Sequence, residues 1–340
     1  MTGEENFSRA IEFQGPAWLP LRLGCDIDWL YEKNESKQNR IRDLQSRIPD
    51  DWLVISESPK PQQEPHTENG IVRWVDHWGT GWMDDGHGAK TETYPLEAGY
   101  PLADGHPFPN PYAPGLFDNA DQLLKDRLDK YVAGTVWFTL FERLWMLRGF
   151  ENMLMDPYTE PDHWQRLMER ILTYNLVMIE ECLRRGVKGV YFSDDWGSQR
   201  GLLINPDDWR RFYKPAYAVM FRKVREGGAH VWMHLCGDIT TILGDLIDLG
   251  LNVLNPVQPQ AMDIRQLARS FGGHVCFNGG LDVQGTMIHG TPEDVKREAE
   301  ELVRLFGSFN GGYIAGASHS IMPETPLDNV IAMYEAFLSC

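Results

Sequence analysis

Residues 230–282 read HVWMHLCGDITTILGDLIDLGLNVLNPVQPQAMDIRQLARSFGGHVCFNGGLD, and this stretch decides the fold. HVWMHLCGD is a short apolar run of the kind a buried strand needs. ITTILGDLIDLG follows with helical spacing and a terminal glycine. LNVLNPVQ and AMDIRQLARSFG repeat the pair, and HVCFNGGLD opens a third strand. Buried strands that alternate with helices form parallel βα units, because a parallel connection requires a crossover. The rhythm extends both ways. Upstream lie VAGTVWFTL, a strand-like run ending near Thr135, then a helix pattern in FERLWMLRGFENML, a long helix from Asp162 to Arg185 stopped by Gly186, the strand and loop VKGVYFSDDWG, and a helix opened by Pro206 and running to about Arg225. Downstream, Thr291 is placed to cap TPEDVKREAEELVRLFG, with Glu293 and Asp294 in its first turn. GGYIAGASHS is a last strand and TPLDNVIAMYEAFL a closing helix. At least six units are legible. With AWLPLRLG as an N-terminal strand candidate, they predict an α/β fold, an eight-stranded (β/α)₈ barrel of the TIM type with an irregular N-terminal extension. Residues 1–340 read as one elaborated domain: 1–130 start the barrel and carry loop and hairpin insertions, and 131–340 hold the main βα repeats.

The chain has 340 residues, with 32 Lys and Arg against 49 Asp and Glu, a formal charge of −17. Such acidity disfavours a nucleic-acid binder, which needs basic groups against phosphate. No apolar run approaches the roughly 18 residues of a membrane span. The N-terminus MTGEENFSRA is polar and lacks an apolar leader, so a cytoplasmic location is expected. Five scattered cysteines, Cys25, Cys182, Cys236, Cys276 and Cys340, are not a disulfide framework. There is no G-x-G-x-x-G between a strand and a helix and no P-loop motif, so dinucleotide and nucleotide readings lack an anchor. In the N-terminal region, residues 57–69 read as a surface loop, and 71–82 as a strand turning at Gly79 and Gly81. Residues 98–115, dense in Pro and Gly, read as an irregular, lid-like segment. Tyr94, His77, His87 and His106 are expected at the surface, and Trp74, Trp78 and Trp82 in a small packed subdomain.

A parallel barrel places its chemistry at the C-terminal ends of its strands. There the sequence sets Asp194, Asp195 and Trp196; His234, Cys236 and Asp238; Asn255 and Gln258; Asn278 and Asp282; Ser318 and His319. His234 and Cys236, two apart in an extended segment, face one side. Such a pair suits zinc, whose catalytic sites take three protein ligands and leave one position open, and His319 is the natural third. The plain alternative is a core histidine beside a small buried cysteine. Asp194 and Asp195 face opposite ways, so one reaches the site while the other caps the following loop. Asp282 is a candidate substrate contact or an N-cap, and Gly279 and Gly280 permit close approach of a ligand to the backbone. Arg22 is placed to meet an anionic substrate at the first strand's end, or else is an ion-paired surface residue. The expected catalytic residues are thus Asp194, Asp195, Asn278 and Arg22. The expected substrate contacts are Trp196, Gln258, Asn255 and Asp282, and the expected metal ligands are His234, Cys236 and His319.

These residues resemble the uroporphyrinogen decarboxylase superfamily, which holds the decarboxylases and zinc-dependent cobamide methyltransferases. The resemblance rests on VAGTVWFTLFE, FSDDWGSQRGLLINPDDWRRFYKPAY, FNGGLDVQGTMIHGTPEDV and GGYIAGASHSIMPETPLDNVIAMYEA, and is clearest over residues 130–340. GPAWLPLRLG is loosely similar to the decarboxylases' arginine-bearing segment. Arg22 stands alone there, however, and Cys25, Asp26 and Asp28 follow, which disfavours a substrate bearing many carboxylates. HLCGD resembles the methyltransferases' H-x-C-G, and His319 occupies the position of their final cysteine. The resemblance implies a zinc-dependent methyltransferase moving a methyl group between a corrinoid, or an O- or S-methyl donor, and a small acceptor. The corrinoid would arrive free or on a corrinoid protein. The alternative it implies is a metal-free decarboxylase using Asp194 or Asp195, and a third course is a barrel turned to another small-molecule reaction. The expected partners are a small-molecule substrate, that corrinoid protein and a second copy in a homodimer, with no nucleic acid and no membrane.

Overall fold

A computed structural model describes residues 1–23, 34–86, 88–100, 105–127 and 129–340. Cys25, Asp26, Asp28, His87 and part of the lid-like segment lie outside the described residues.

Seven strands form one curled parallel sheet: β1 Trp52–Ile55, β2 Tyr131–Val136, β3 Gly189–Ser193, β4 His230–His234, β5 Val253–Val257, β6 Cys276–Gly279 and β7 Tyr313–Ile314, hydrogen-bonded in that order. Sequence neighbours are spatial neighbours throughout, as right-handed βα crossovers produce. The expected eight-stranded barrel is met only in part. The AWLPLRLG segment contributes one parallel bridge, Leu21 to Ala315, in which Ala315 N donates to Pro20 O and Arg22 N to Ala315 O. Pro20 has no N–H and cannot extend that ladder. Among the described residues no ladder joins this segment to β1.

Period-two alternation sorts each strand into two faces. The concave face carries Trp52, Tyr131, Tyr191, Trp232, Val253, Cys276 and Ile314, one from each strand, which form an apolar layer. Helix Gly3–Ile11 closes this layer from the N-terminal end of the strands with Phe7 and Ile11, and Thr2 and Glu5 make a capping box at its start. Two residues further along, the same face turns polar: His234 follows Trp232, Asn255 follows Val253, and Asn278 follows Cys276. The register pairs His234 with Asn255. The convex face packs on the helices, where Gly134 leaves room for Cys182: a Cβ there would lie 2.5 Å from its sulfur.

Residues 57–69, expected as a loop, include strand Gln63–Glu68, wholly exposed. Pairing outweighs composition here, since the strand is the edge of an antiparallel sheet with Ile71–Val75, Gly81–Asp84 and Ala89–Thr93. Trp74 and Trp82 stack across that sheet at 6.0 Å, and Trp78 is buried. His77, expected at the surface, is half-buried beside Glu57 and Tyr174. The helix expected from Pro206 to about Arg225 is interrupted by a π-helical stretch, Trp209–Tyr213, before Lys214–Glu226. Pro215 accounts for this, since it has no N–H to donate and its ring would clash with the carbonyl of Arg211, four residues back. No described helix is long and apolar enough to cross a membrane.

Candidate metal and substrate site

The site is built on the polar layer at the C-terminal ends of β4, β5 and β6. Its hydrogen bonds fix one another's direction. Asn278 Nδ2 donates to the Ile314 carbonyl at 2.9 Å, so its Oδ1 turns inward, where it accepts from Asn255 Nδ2 at 2.7 Å and Arg22 Nη1 at 3.0 Å. Asn255 Oδ1 is therefore the atom that meets His234 Nδ1, at 2.9 Å, and it also accepts from Tyr191 Oη. An amide oxygen only accepts, so Nδ1 of His234 carries the hydrogen and Nε2 keeps its lone pair. Burial holds His234 below the ordinary imidazole pKa, which favours that neutral form.

The lone pair of Nε2 points at Cys236 Sγ, 3.4 Å away. Cys236 lies past the last ladder residue of β4 and is held by two neighbours. Its N–H donates to Asp195 Oδ1 at 2.8 Å, and Gly237 N donates to Gln258 Oε1 at 2.6 Å. Gly237 has φ +80, and a Cβ on it would lie 2.4 Å from the backbone of Gly197. Two backbones thus touch where only glycines fit. His319, exposed on the loop after β7, completes the group, and ligand atoms of His234, Cys236 and His319 all lie within 4.8 Å of one another.

This set fits a zinc ion. Two imidazoles and a thiol are the ligand types zinc prefers, and three protein ligands leave a fourth position open. An outer hydrogen bond orients His234, as metal-bound histidines require. Burial and the Asp195 charge push the Cys236 thiol well above its usual pKa. Metal capture must then displace a proton. Cavities flank the group on both sides. One, of about 430 Å³, is lined by Arg22, Trp137, Tyr191 and Asn278, and the other, of about 450 Å³, by Gln199, Gln258, Gln284 and Met322. His319 and Ser320 line both.

The expected site residues divide. Asp195, Asn278, Arg22, Gln258 and Asn255 are gathered around His234, Cys236 and His319. Asp194 is not. It is wholly buried on the convex side and accepts from the backbone N–H groups of Leu140, Phe141 and Glu142, from Trp196 Nε1 and from Tyr217 Oη. Its carboxylate caps helix Phe141–Arg148, where free N–H groups converge. Trp196, expected to touch substrate, follows it inward and packs edge-on against Trp209 and Tyr217, wholly buried. Of the adjacent pair, the second aspartate is the one at the site, because alternation sends the first into the helix layer. Asp282 is buried and caps no helix, since the N-cap of the next one, Thr286–His289, is Gly285: its carboxylate instead closes a turn by accepting from Gln284 N at 2.9 Å and accepts from Gln260 Nε2 at 2.5 Å. Ser318 is buried and accepts from Val283 N.

Three residues at or beside the site escape a reading based on strand-end polarity. Tyr191 and Trp137 look like core in the sequence. Only the inward phase of β3, two residues before Ser193, marks Tyr191. Glu142 sits in an ordinary helix first turn, but it is buried beside Asp194 and Asp195 with Ser193 Oγ 3.3 Å away. Burial, then the two aspartates, push Glu142 up to about 9.

Known proteins bear on this geometry. The sequence profile of the family described as uroporphyrinogen decarboxylase (URO-D) matches residues 131–339. Among individual relatives, a uroporphyrinogen decarboxylase of Chlorobaculum parvum is 25% identical over 191 residues, 55% of this chain and 52% of that protein. That of Chlorobium luteolum is 26% identical over 228 residues, 64% and 62%. The chain thus spans between about half and two thirds of the length of the relatives it matches. Among solved structures, a methyltransferase from Methanosarcina mazei superposes with a TM-score of 0.68 at 14% identity, covering 99% of this chain and 98% of that one. At that identity the likeness is one of fold.

Proposed function

Because the chain belongs to the uroporphyrinogen decarboxylase family, we propose that it is the family's metal-dependent kind of enzyme. It would be a methyltransferase moving a methyl group from a corrinoid, or from an O- or S-methyl donor, to a small acceptor. The observation that carries this reading is the convergence of one ligand atom each from His234, Cys236 and His319 within 4.8 Å, with His234 Nε2 3.4 Å from Cys236 Sγ and His234 held in the ligating tautomer by Asn255.

His234, Cys236 and His319 would hold a zinc ion, which would supply a Lewis acid able to keep a thiol acceptor deprotonated at neutral pH. The chain's own residues do the rest. His234 and Cys236 present their lone pairs from a rigid strand end. Asp195 and Gln258 hold the Cys236 loop by its backbone. Arg22 offers a cation to an acidic group on the substrate, and Asn278 and Tyr191 orient that cation. In the transfer, the acceptor sulfur loses its proton to solvent and forms a bond to the methyl carbon. The bond from methyl to the donor atom breaks, and its electron pair leaves with the donor. The two flanking cavities, of about 450 and 430 Å³, have room for a small acceptor and for a small methyl donor or the methyl-bearing face of a larger one.

A second reading, metal-free decarboxylation of a small acid, is favoured by Arg22, whose guanidinium has no carboxylate partner among the described residues. Zinc content separates the two. Purified protein supplied with zinc should hold about one ion per chain by elemental analysis. His234→Ala and Cys236→Ser should each lose most of it, while Cys340→Ser, at the far end of the closing helix, should keep it. Equal content in all forms would sink the metal site, and absence of zinc from the unmodified protein would favour the decarboxylase.

A further inference from the structure

The cavity on the Arg22 side has an aromatic wall that the metal group does not need. Trp137 follows β2 directly and remains 46% exposed, one of the largest apolar side chains left open to solvent. Its ring meets Tyr191 edge-on at 5.5 Å and His234 at 6.5 Å. The backbone is bent to put it there. The next residue, Phe138, has φ +53, a left-handed conformation rarely adopted by a bulky side chain. That turn sends Phe138 outward onto Trp82 and Arg143 and leaves Trp137 facing the cavity.

The same cavity is also lined by a cation. Arg22 lies over the rings of Tyr191 and Trp52, at 4.8 and 5.1 Å, and gives Nη1 to Tyr191 and Asn278. Nε and Nη2 have no acceptor among the described residues. In a chain of net charge −17, no acidic side chain lines this cavity among the described residues. A cation is therefore disfavoured, and a carboxylate finds the free edge of a guanidinium.

Resting on the metal-site reading for the position of the reacting end, we infer that Trp137 is a specificity-determining residue. It selects substrates with a flat, apolar ring that carry an acidic group for Arg22 at one end and the reacting sulfur or oxygen at the other. A volume of about 430 Å³ admits a single substituted ring lying along Trp137. A ring placed there covers the exposed indole face and continues the edge-to-face series of Tyr191 and His234.

Two thiols test this, 4-mercaptobenzoate and 3-mercaptopropionate, which share the thiol and the carboxylate and differ in the ring. Calorimetric titration of the whole protein, metal-free and Co²⁺-loaded, gives the ratio of their dissociation constants. Using the change in that ratio between variants cancels the intrinsic acidity difference of the two thiols. Trp137→Ala should weaken 4-mercaptobenzoate by about tenfold and 3-mercaptopropionate by no more than about twofold. Trp137→Phe should recover most of the loss, and Arg22→Met should weaken both. Thermal midpoints confirm folding, which an exposed side chain should barely affect. If Trp137→Ala shifts both thiols alike, or neither, the inference is overturned. The visible spectrum of the Co²⁺ form reports separately on the metal reading. A thiol that binds with ring selectivity but leaves the Co²⁺ bands unchanged overturns the position of the reacting end while Trp137 stands.

Discussion

At His234 the neighbours place a single hydrogen on the ring. Ile314 orients Asn278, Asn278 orients Asn255, and Asn255 sets the tautomer of the imidazole. Asn255→Ala should therefore lower zinc affinity by about 10- to 100-fold without removing any ligand. Competition with a chromophoric chelator measures this, and undiminished affinity in a folded variant would show that the tautomer is set elsewhere. Asn255, Asn278 and Gln258 were legible as polar residues at strand ends, where a neutral barrel would have apolar ones. Their order of dependence was not, because it arises from contacts between strands 21 to 36 residues apart. Asp194 and Asp195 show the limit of local reading. Alternation says that they diverge, but only the helix packed behind β3 decides which one is spent as a cap.

The βα elements were legible because their periodicity and caps act locally. Gly186 stops the long helix with φ +76, and Thr291 makes a capping box with Asp294. The π-helical interruption at Trp209–Tyr213 and the exposed strand Gln63–Glu68 were not, since one follows from a proline a turn later and the other from pairing. Helix Phe141–Arg148 carries a consequence for pH. Glu142 in its first turn is buried against Asp194 and Asp195. Asp194 receives several donors, so the proton resides on Glu142, pushed up to about 9 from the ordinary glutamate range. A carboxyl with a raised folded pKa makes the folded state bind more protons. Its contribution is thus fully present below the unfolded value and is lost as pH rises through about 9. Stability should fall between about pH 5 and 9 with a slope of up to ~1.4 kcal/mol per unit from this group. Glu142→Gln, which keeps the shape and removes the titration, should flatten the profile. Denaturant midpoints across that range measure it, and an unchanged slope in the variant would place the proton elsewhere.

Across the molecule, the sheet is closed by an apolar layer at one end and carries its polar layer at the other. Phe7 and Ile11 fill the apolar layer from the N-terminal ends of the strands, while the polar layer opens toward the two cavities. Phe7 is wholly buried among Trp52 and Tyr131, with ring centroids 5.6 Å from each. Phe7→Ala should cost about 3–5 kcal/mol by removing a large side chain from a packed layer. Because the metal group lies at the opposite end, zinc bound per folded chain should stay unchanged. Equilibrium unfolding together with metal analysis checks both. Loss of zinc in the folded variant would show that the layer transmits strain from one end to the other.

The order of strands and helices, the parallel sheet and the end at which the polar side chains gather follow from the sequence, because periodicity, turn residues and crossover handedness are local rules. The pairing of His234 with Cys236 was visible for the same reason. The tertiary structure brings His319, the third ligand expected from the sequence, within reach of that pair, and it alone decided that Asp195 rather than Asp194 lies beside Cys236 and that Trp196 belongs to the core while Trp137 faces the cavity. Those outcomes depend on which residues distant in sequence share a face, and a β-strand's period of two says only that a side chain points to one side, not what it meets there.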